Sequence, residues 1–408
     1  MRWEPRKSAP RFLYHSLERH KISNLLKIFR ILITLQIFEE LDEECDELLL
    51  CLTAIAIQNL DQHLHRIRPS NMYPPDGFYP SGAYDDFWLE HKEMFKHKFR
   101  FRLDHFHQML RAMHFEGKVF LVGQAGKKKK YRADVCLLVV LRRLSYPVRF
   151  FDMVEDFGIP SNRLCEIFHS TIDVIFERFH AIIEFSNWIP FFARFADIMK
   201  AFGSPYDDLI ALTDGNFMAT CRPGGLGNTR SRIDQGQFYT GEKARHGIKH
   251  LGAFFPNGMM ALCGPFLGSV HDGRMIRESG WFDFLHLISQ VDGRRYKLFG
   301  DSAFGYGNYI QSMIKGELSP EGRAFNALMS RIRINIENAF GGQSNTFTFL
   351  AFHRSVKIGG RNTQKLYKVA TILMNMRCTF YGNQFTDQLG HPALISVEEL
   401  VAMCNKDS

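Results

Sequence analysis

The feature that most constrains this 408-residue chain is a change of hydrophobic period near residue 205. Upstream, apolar residues recur at helical spacing; downstream they form short continuous runs bounded by turn residues, as strands buried on both faces do. "DLIALTD" is one such run and "YKLFGD" another, and each closes on an aspartate, Asp214 and Asp301. Between them "HGIKHLGAFFPNGMMALCGPFLG" reads as two strands joined by Asn257-Gly258, a strong hairpin signal. The helical segment "DGRMIRESGWFDFLHLISQ" precedes the "YKLFGD" strand, and more helix follows it. The order strand, hairpin, helix, strand, helix predicts an α/β domain over residues 205–385, with no internal repeat.

The upstream half divides at punctuation residues. Residues 1–84 read as a helical extension followed by the Pro/Gly-rich break "RPSNMYPPDGFYPSG". The stretch "LLKIFRILITLQIF" carries Lys27 and Arg30, which makes it an amphipathic helix rather than a membrane span, and the acidic "EELDEECDE" after it does not suit a transit peptide. Residues 85–204 are helical, rich in aromatic and basic side chains. Within them "ADVCLLVVLRRLSYPVRFFDMVEDFGIPSNRLCEIFHSTIDVIF" predicts three helices, the second ending near Gly158 and the third opening at Pro160-Ser161. That layout serves a three-helix packing unit as well as a helix-turn-helix; in the second case Asn162 and Arg163 sit where base edges are read. The lysines of "GKKKKYR" suit phosphate contact, nuclear import or simply an exposed loop. Residues 386–408 read as a tail.

A net charge of +8 is compatible with an anionic polymer as partner and does not by itself establish one. The eight cysteines show no CxxC pair and no zinc spacing, and read as reduced thiols of an intracellular protein.

Four acids stand where a strand or helix edge would expose them toward one place: Asp214, Asp272 in "SVHDGR", Asp301 and Glu337 in "RINIENAFGG". If the strands ending at Asp214 and Asp301 are parallel neighbours, their side chains meet at the carboxyl edge of the sheet, where open α/β sheets bind ligands. Leu328, Ile332, Ile336 and Phe340 form a stripe that would pack a helix on the sheet, with Glu337 beside it, Arg333 one turn earlier and Gly341-Gly342 ending the helix. Clustered carboxylates repel unless cations are present, and hard divalent ions with oxygen ligands are the natural remedy. Two such ions activate a water and stabilise the attacking and leaving oxygens of a phosphodiester displacement. Singly, each acid has another use: a turn cap for Asp214 or Asp301, an N-cap for Asp272, a partner of Arg333 for Glu337. Arg222, Tyr239, Lys243, Arg245, His246 and Lys249 make a basic and aromatic cluster suited to phosphates, against a solvated loop as the alternative. His246 and His250 are ordinary histidines in this reading, since oxygen ligands suffice for magnesium.

Over about residues 85–385 the chain resembles the PIF/Harbinger-type DDE transposases and their domesticated nuclease relatives. The resemblance rests on "LTDGNFMATCRPGG", "QFYTGEKARHGIKHLG", "CGPFLGSVHDGRMIRESG", "LFGDSAFG" and "RIRINIENAFGG" in the family's order, and on the 35 residues between Asp301 and Glu337. It implies an RNase H-like catalytic domain whose mixed sheet has its first three strands antiparallel, preceded by a helical region with a helix-turn-helix-like segment. It also implies a catalytic triad of Asp214, Asp301 and Glu337, with Asp272 as a fourth metal-side acid, Mg²⁺ as cofactor and Mn²⁺ as a substitute. The implied partners are transposon-end and target DNA, a Myb-like DNA-binding protein and further copies of the chain, in the nucleus and without a membrane. The alternatives are a domesticated DNA-binding or protein-interaction factor with little nuclease activity, and a nuclease acting on RNA.

Overall fold

A computed structural model describes residues 89–123, 128–223, 235–353, 356–358, 360–390 and 395–405. The expected N-terminal helix and the Pro/Gly-rich break lie outside the described residues. The chain divides into two compact units, Met1–Phe87 with Arg149–Leu164 and Trp88–Val148 with Cys165–Ser408.

In chain order the described elements begin with α1 (Lys92–Phe99), α2 (Leu103–Ala112), β1 (Val119–Val122), β2 (Lys129–Arg132), α3 (Ala133–Ser145), α4 (Met153–Phe157), α5 (Ser161–Phe179) and α6 (Phe192–Ala201). They continue with β3 (Leu209–Ala219), α7 (Gln235–Phe238), β4 (Tyr239–Thr240), β5 (Arg245–Phe254), β6 (Met260–Leu267), α8 (Asp272–Glu278), α9 (Trp281–Asp292), β7 (Lys297–Gly300) and β8 (Ile310–Ser312). The chain closes with α10 (Pro320–Thr346), α11 (Thr363–Tyr381), α12 (Gln384–Leu389) and α13 (Val397–Ala402). No helix among the described residues is long and apolar enough to cross a membrane. The six described cysteines are free thiols.

Of the first unit, Arg149–Leu164 is described. Arg149 forks onto Asp152, α4 ends on Gly158 in the left-handed region (φ 65°), and the Pro160 carbonyl accepts from Arg163 and Leu164 as α5 opens. Three helices therefore stand at the expected boundaries, and their service as a DNA reader belongs to the proposal below.

The second unit is built on a mixed sheet. β3 is central: β5 pairs it antiparallel on one side, β7 parallel on the other, β6 pairs antiparallel with β5, and β8 parallel with β7. Of the three long strands, β5 runs antiparallel to β3 and to β6, the antiparallel start that was expected. The hairpin between β5 and β6 turns over residues 255–259: Gly258 donates to the Phe255 carbonyl and takes a φ of 79°, which a residue with a Cβ adopts only under strain. The edge of β6 at Met260 is closed by Asn375 of α11, whose amide gives and receives one hydrogen bond with the Met260 backbone (2.8 and 3.0 Å).

Helices cover β3. α6 packs on it with an aromatic cluster in which the Phe255 ring lies 5.0 Å from Phe195 and 5.2 Å from Trp188. Trp188, Phe192, Phe195 and Phe255 are all fully buried, roughly 1.5–3 kcal/mol of hydrophobic stabilisation apiece. α10 also packs on β3, and its start is capped by Ser319 with Pro320 at its first position.

Five expectations need correction. β3 does not end at Asp214 but runs to Ala219, because its second half keeps β5 as a partner after β7 has ended. α10 does not stop at Gly341-Gly342 but continues to Thr346; burial of Phe340 and Gln343, the latter bonded to Thr371 of α11, overrides a penalty of about 1 kcal/mol per glycine. Its buried stripe contains Met329, Ile332, Ile336 and Phe340, while Leu328 is exposed. The helical segment after β6 is two helices broken at Gly280, which is left-handed. The lysine run is not simply a loop: Lys129–Arg132 pairs with Val119–Val122, a strand held by Tyr131, the buried residue of β2.

Candidate active site

The site is assembled around Asp214 by the sheet itself. Parallel pairing sets Leu212 against Phe299, and a Cβ on Gly300 would stand 3.0 Å from Thr213, so the residue after the end of β7, Asp301, comes level with Asp214. Asp301 then caps the short 3₁₀ turn Ser302–Phe304, its carboxylate accepting from the Ser302 N–H. Gly252 of β5 faces Asp214 across the antiparallel ladder.

Asp272 arrives from another direction. It is the first residue of α8, whose N-cap is His271, accepting from the Gly273 N–H. The close approach depends on Gly215: a Cβ there would stand 3.0 Å from the Asp272 carboxylate and 2.8 Å from the Met275 methyl. Lys249 of β5 holds the acid in place, its ammonium donating to Asp272 Oδ1 and to the Val270 carbonyl, both at 3.0 Å.

Glu337 is on α10 at the rim, about half exposed. Arg333, one turn earlier, lies 2.6 Å from Glu337 Oε1 and 3.7 Å from Asp214 Oδ2. One guanidinium therefore spans a helix acid and a strand acid. The i,i+4 pair was legible in the sequence; the reach to Asp214 was not, because it depends on how α10 crosses β3.

The electrostatics centre on Asp214. Burial drives its pKa up from the ordinary 3.8 to about 6; the Gly215 N–H and Arg333 oppose the rise, while the Asp272 and Asp301 charges add to it. All four acids offer carboxylate oxygen, the donor type that hard divalent cations take, and Asp214 is penalised by like charge that such an ion would relieve. The donor chemistry thus fits a divalent ion. The present arrangement is a carboxylate network held by the protein's own cations, and among the described residues no three His, Cys, Asp or Glu side chains form a group able to hold a metal.

The expected DNA-contacting residues scatter over several elements. Arg245, His246 and Lys249 lie within β5 rather than in a loop, Tyr239 begins β4 with its ring edge-on to His246, and Lys243 pairs with Glu242 in the turn between these strands. Arg222 is exposed and donates to Gln235. Tyr239, Lys243 and Arg245 are exposed, whereas Lys249 is largely buried and its ammonium is committed to Asp272. Asn162 and Arg163 lie at the start of α5, the Asn162 side chain accepting from the Arg163 N–H. His250 is no ligand: it is fully buried, stacked on Tyr367 at 4.6 Å, with its pKa depressed to about 3 by burial and, secondarily, by Lys368.

Residues 222–375 match the family described as DDE superfamily endonuclease. The matched stretch holds Asp272, Asp301 and Glu337 and begins just after Asp214. No curated protein and no solved structure matches the chain. What defines the site is therefore an acidic edge on a curled mixed sheet, in a chain similar to DDE superfamily endonucleases over that stretch.

Proposed function

We propose that the protein is a metal-dependent DNA endonuclease of the DDE transposase type. The observation that carries this reading is the parallel pairing of β3 with β7, which brings Asp301 level with Asp214, at an acid whose ionisation Asp272 and Asp301 already oppose. The strand order, three antiparallel strands followed by two parallel ones, supports an RNase H-like catalytic domain. Asp214, Asp301 and Glu337, with Asp272, would hold Mg²⁺ or Mn²⁺, which supplies Lewis-acid activation of a water or a 3′-hydroxyl against a phosphodiester. The chain's own residues orient the acids: Lys249 fixes Asp272, the Ser302 N–H fixes Asp301, and α10 presents Glu337. Arg222, Tyr239, Lys243 and Arg245 suit phosphate contact along the bound DNA. The helix-turn-helix role of α4 and α5, with Asn162 and Arg163 at transposon ends, belongs to the same reading. So do the Harbinger subtype, nuclear location, self-association and a Myb-like partner.

A second reading, a domesticated DNA-binding or protein-interaction factor, is favoured by the pairing of Asp214, Glu337 and Asp272 with Arg333 and Lys249, which satisfies these acids without an ion. Cleavage of labelled duplex DNA carrying the cognate ends separates the two. Metal-dependent cutting lost in Asp301→Ala supports the nuclease, and binding without cutting in both proteins supports the factor.

A further inference from the structure

The site carries its own countercations, and they are not equivalent. Lys249 is largely buried and doubly bonded, to Asp272 and to a backbone carbonyl, so it is part of the framework. Arg333 is also mostly covered but makes no such anchor: its contacts with Asp214 and Glu337 are to the two acids that a metal would need. The four acids set against these two cations leave two negative charges when all are ionised, and removing the guanidinium leaves three.

We propose that Arg333 is a built-in competitor of the metal: its guanidinium occupies the electrostatic place between Asp214 and Glu337, and a divalent ion enters by displacing it. The inference rests on the proposed metal site and adds a positioning residue that sets how readily the site loads. Coulomb attraction falls with distance, so one guanidinium cannot neutralise both acids as well as an ion with two charges in direct oxygen contact. Displacement is therefore favourable once the ion is concentrated enough, and the cost of breaking the Arg333 contacts appears as weakened metal affinity. Being four residues from Glu337 on the same helix, the freed side chain remains at the mouth of the site, where a phosphate is its natural next partner.

The test is calorimetric titration of the full chain with Mn²⁺, without DNA, in wild type, Arg333→Gln, Arg333→Lys and, as a surface control on the same helix, Arg331→Gln. Arg333→Gln is expected to bind Mn²⁺ about tenfold more tightly than wild type, within the range of coupling free energies between sites. Arg333→Lys should remain near the wild-type affinity, and Arg331→Gln should be unchanged. Metal-induced rise in melting temperature gives the second readout, larger in Arg333→Gln than in wild type whatever the variant's starting stability. Equal affinity in wild type and Arg333→Gln would overturn the competitor role while leaving the metal site standing. No Mn²⁺ binding in any of the proteins would overturn both.

Discussion

Two polar groups, Asp214 largely covered and His250 fully buried, lie two residues apart in register on neighbouring strands, and the protein treats them in opposite ways. Asp214 on β3 faces an edge with Arg333 within reach and two further acids nearby. His250 on β5, paired with Asn216, is sealed against Tyr367, and neither its ring nitrogens nor the Tyr367 hydroxyl has a hydrogen-bond partner among the described residues. Burial shifts both pKa values toward the neutral form, up to about 6 for the acid and down to about 3 for the histidine. The difference is that Asp214 can exchange partners and His250 cannot. Burial alone does not make a functional site; an exchangeable neighbour does.

The largest effect is expected from Asp214→Asn. Cleavage should fall by about a thousandfold or more, the several kcal/mol that metal-ion stabilisation of the transition state supplies. The same variant should be more stable than wild type above pH 6 in metal-free buffer, by up to about 3 kcal/mol, since the folded acid's raised pKa means its charged form is disfavoured there. Denaturant unfolding beside a cleavage assay would show both, and a variant that lost stability would contradict the account of the edge.

Gly215→Ala probes the approach of α8. Its methyl would meet the Asp272 carboxylate and Met275, so a loss of about 1–3 kcal/mol of stability is expected, as for overpacking generally, with reduced cutting. Full activity and stability would mean that Asp272 does not need its present position.

The two groups also oppose each other in pH. His250 stays neutral when folded while its unfolded counterpart protonates below 6.5, so its contribution makes stability rise with pH between about 3 and 6.5. Asp214 holds a proton when folded that its unfolded counterpart has released above 3.8, so its contribution makes stability fall with pH between 3.8 and about 6. In the shared window the slopes cancel. Asp214→Asn should expose a rising slope and His250→Leu a falling one, each about 1.4 kcal/mol per pH unit relative to wild type. Unfolding midpoints between pH 4 and 6 would read this directly.

The smallest effect belongs to Tyr367→Phe. Removing a buried hydroxyl that has no partner among the described residues should raise stability by about 1 kcal/mol without touching cleavage, as thermal unfolding would show.

Local pattern made much of this readable from residues alone. The continuous apolar runs of Leu209–Leu212 and Leu298–Phe299, the Asn257-Gly258 turn, the helix boundary at Gly158 and Ser161 and the Arg333–Glu337 spacing all act over a few residues, where steric preference and hydrophobic period are decisive. What tertiary structure decided is everything that depends on a second element. β3 outlasts Asp214 because β5 remains beside it, and α10 passes through Gly341-Gly342 because α11 and the sheet bury its end. Asp272 reaches the site because Gly215 leaves room, and Arg333 touches Asp214 only through the crossing of a helix over a strand. Spacing along the chain names the acids; their shared electrostatics, and the arginine between two of them, come from packing, since Coulomb energy depends on distance in space rather than in sequence.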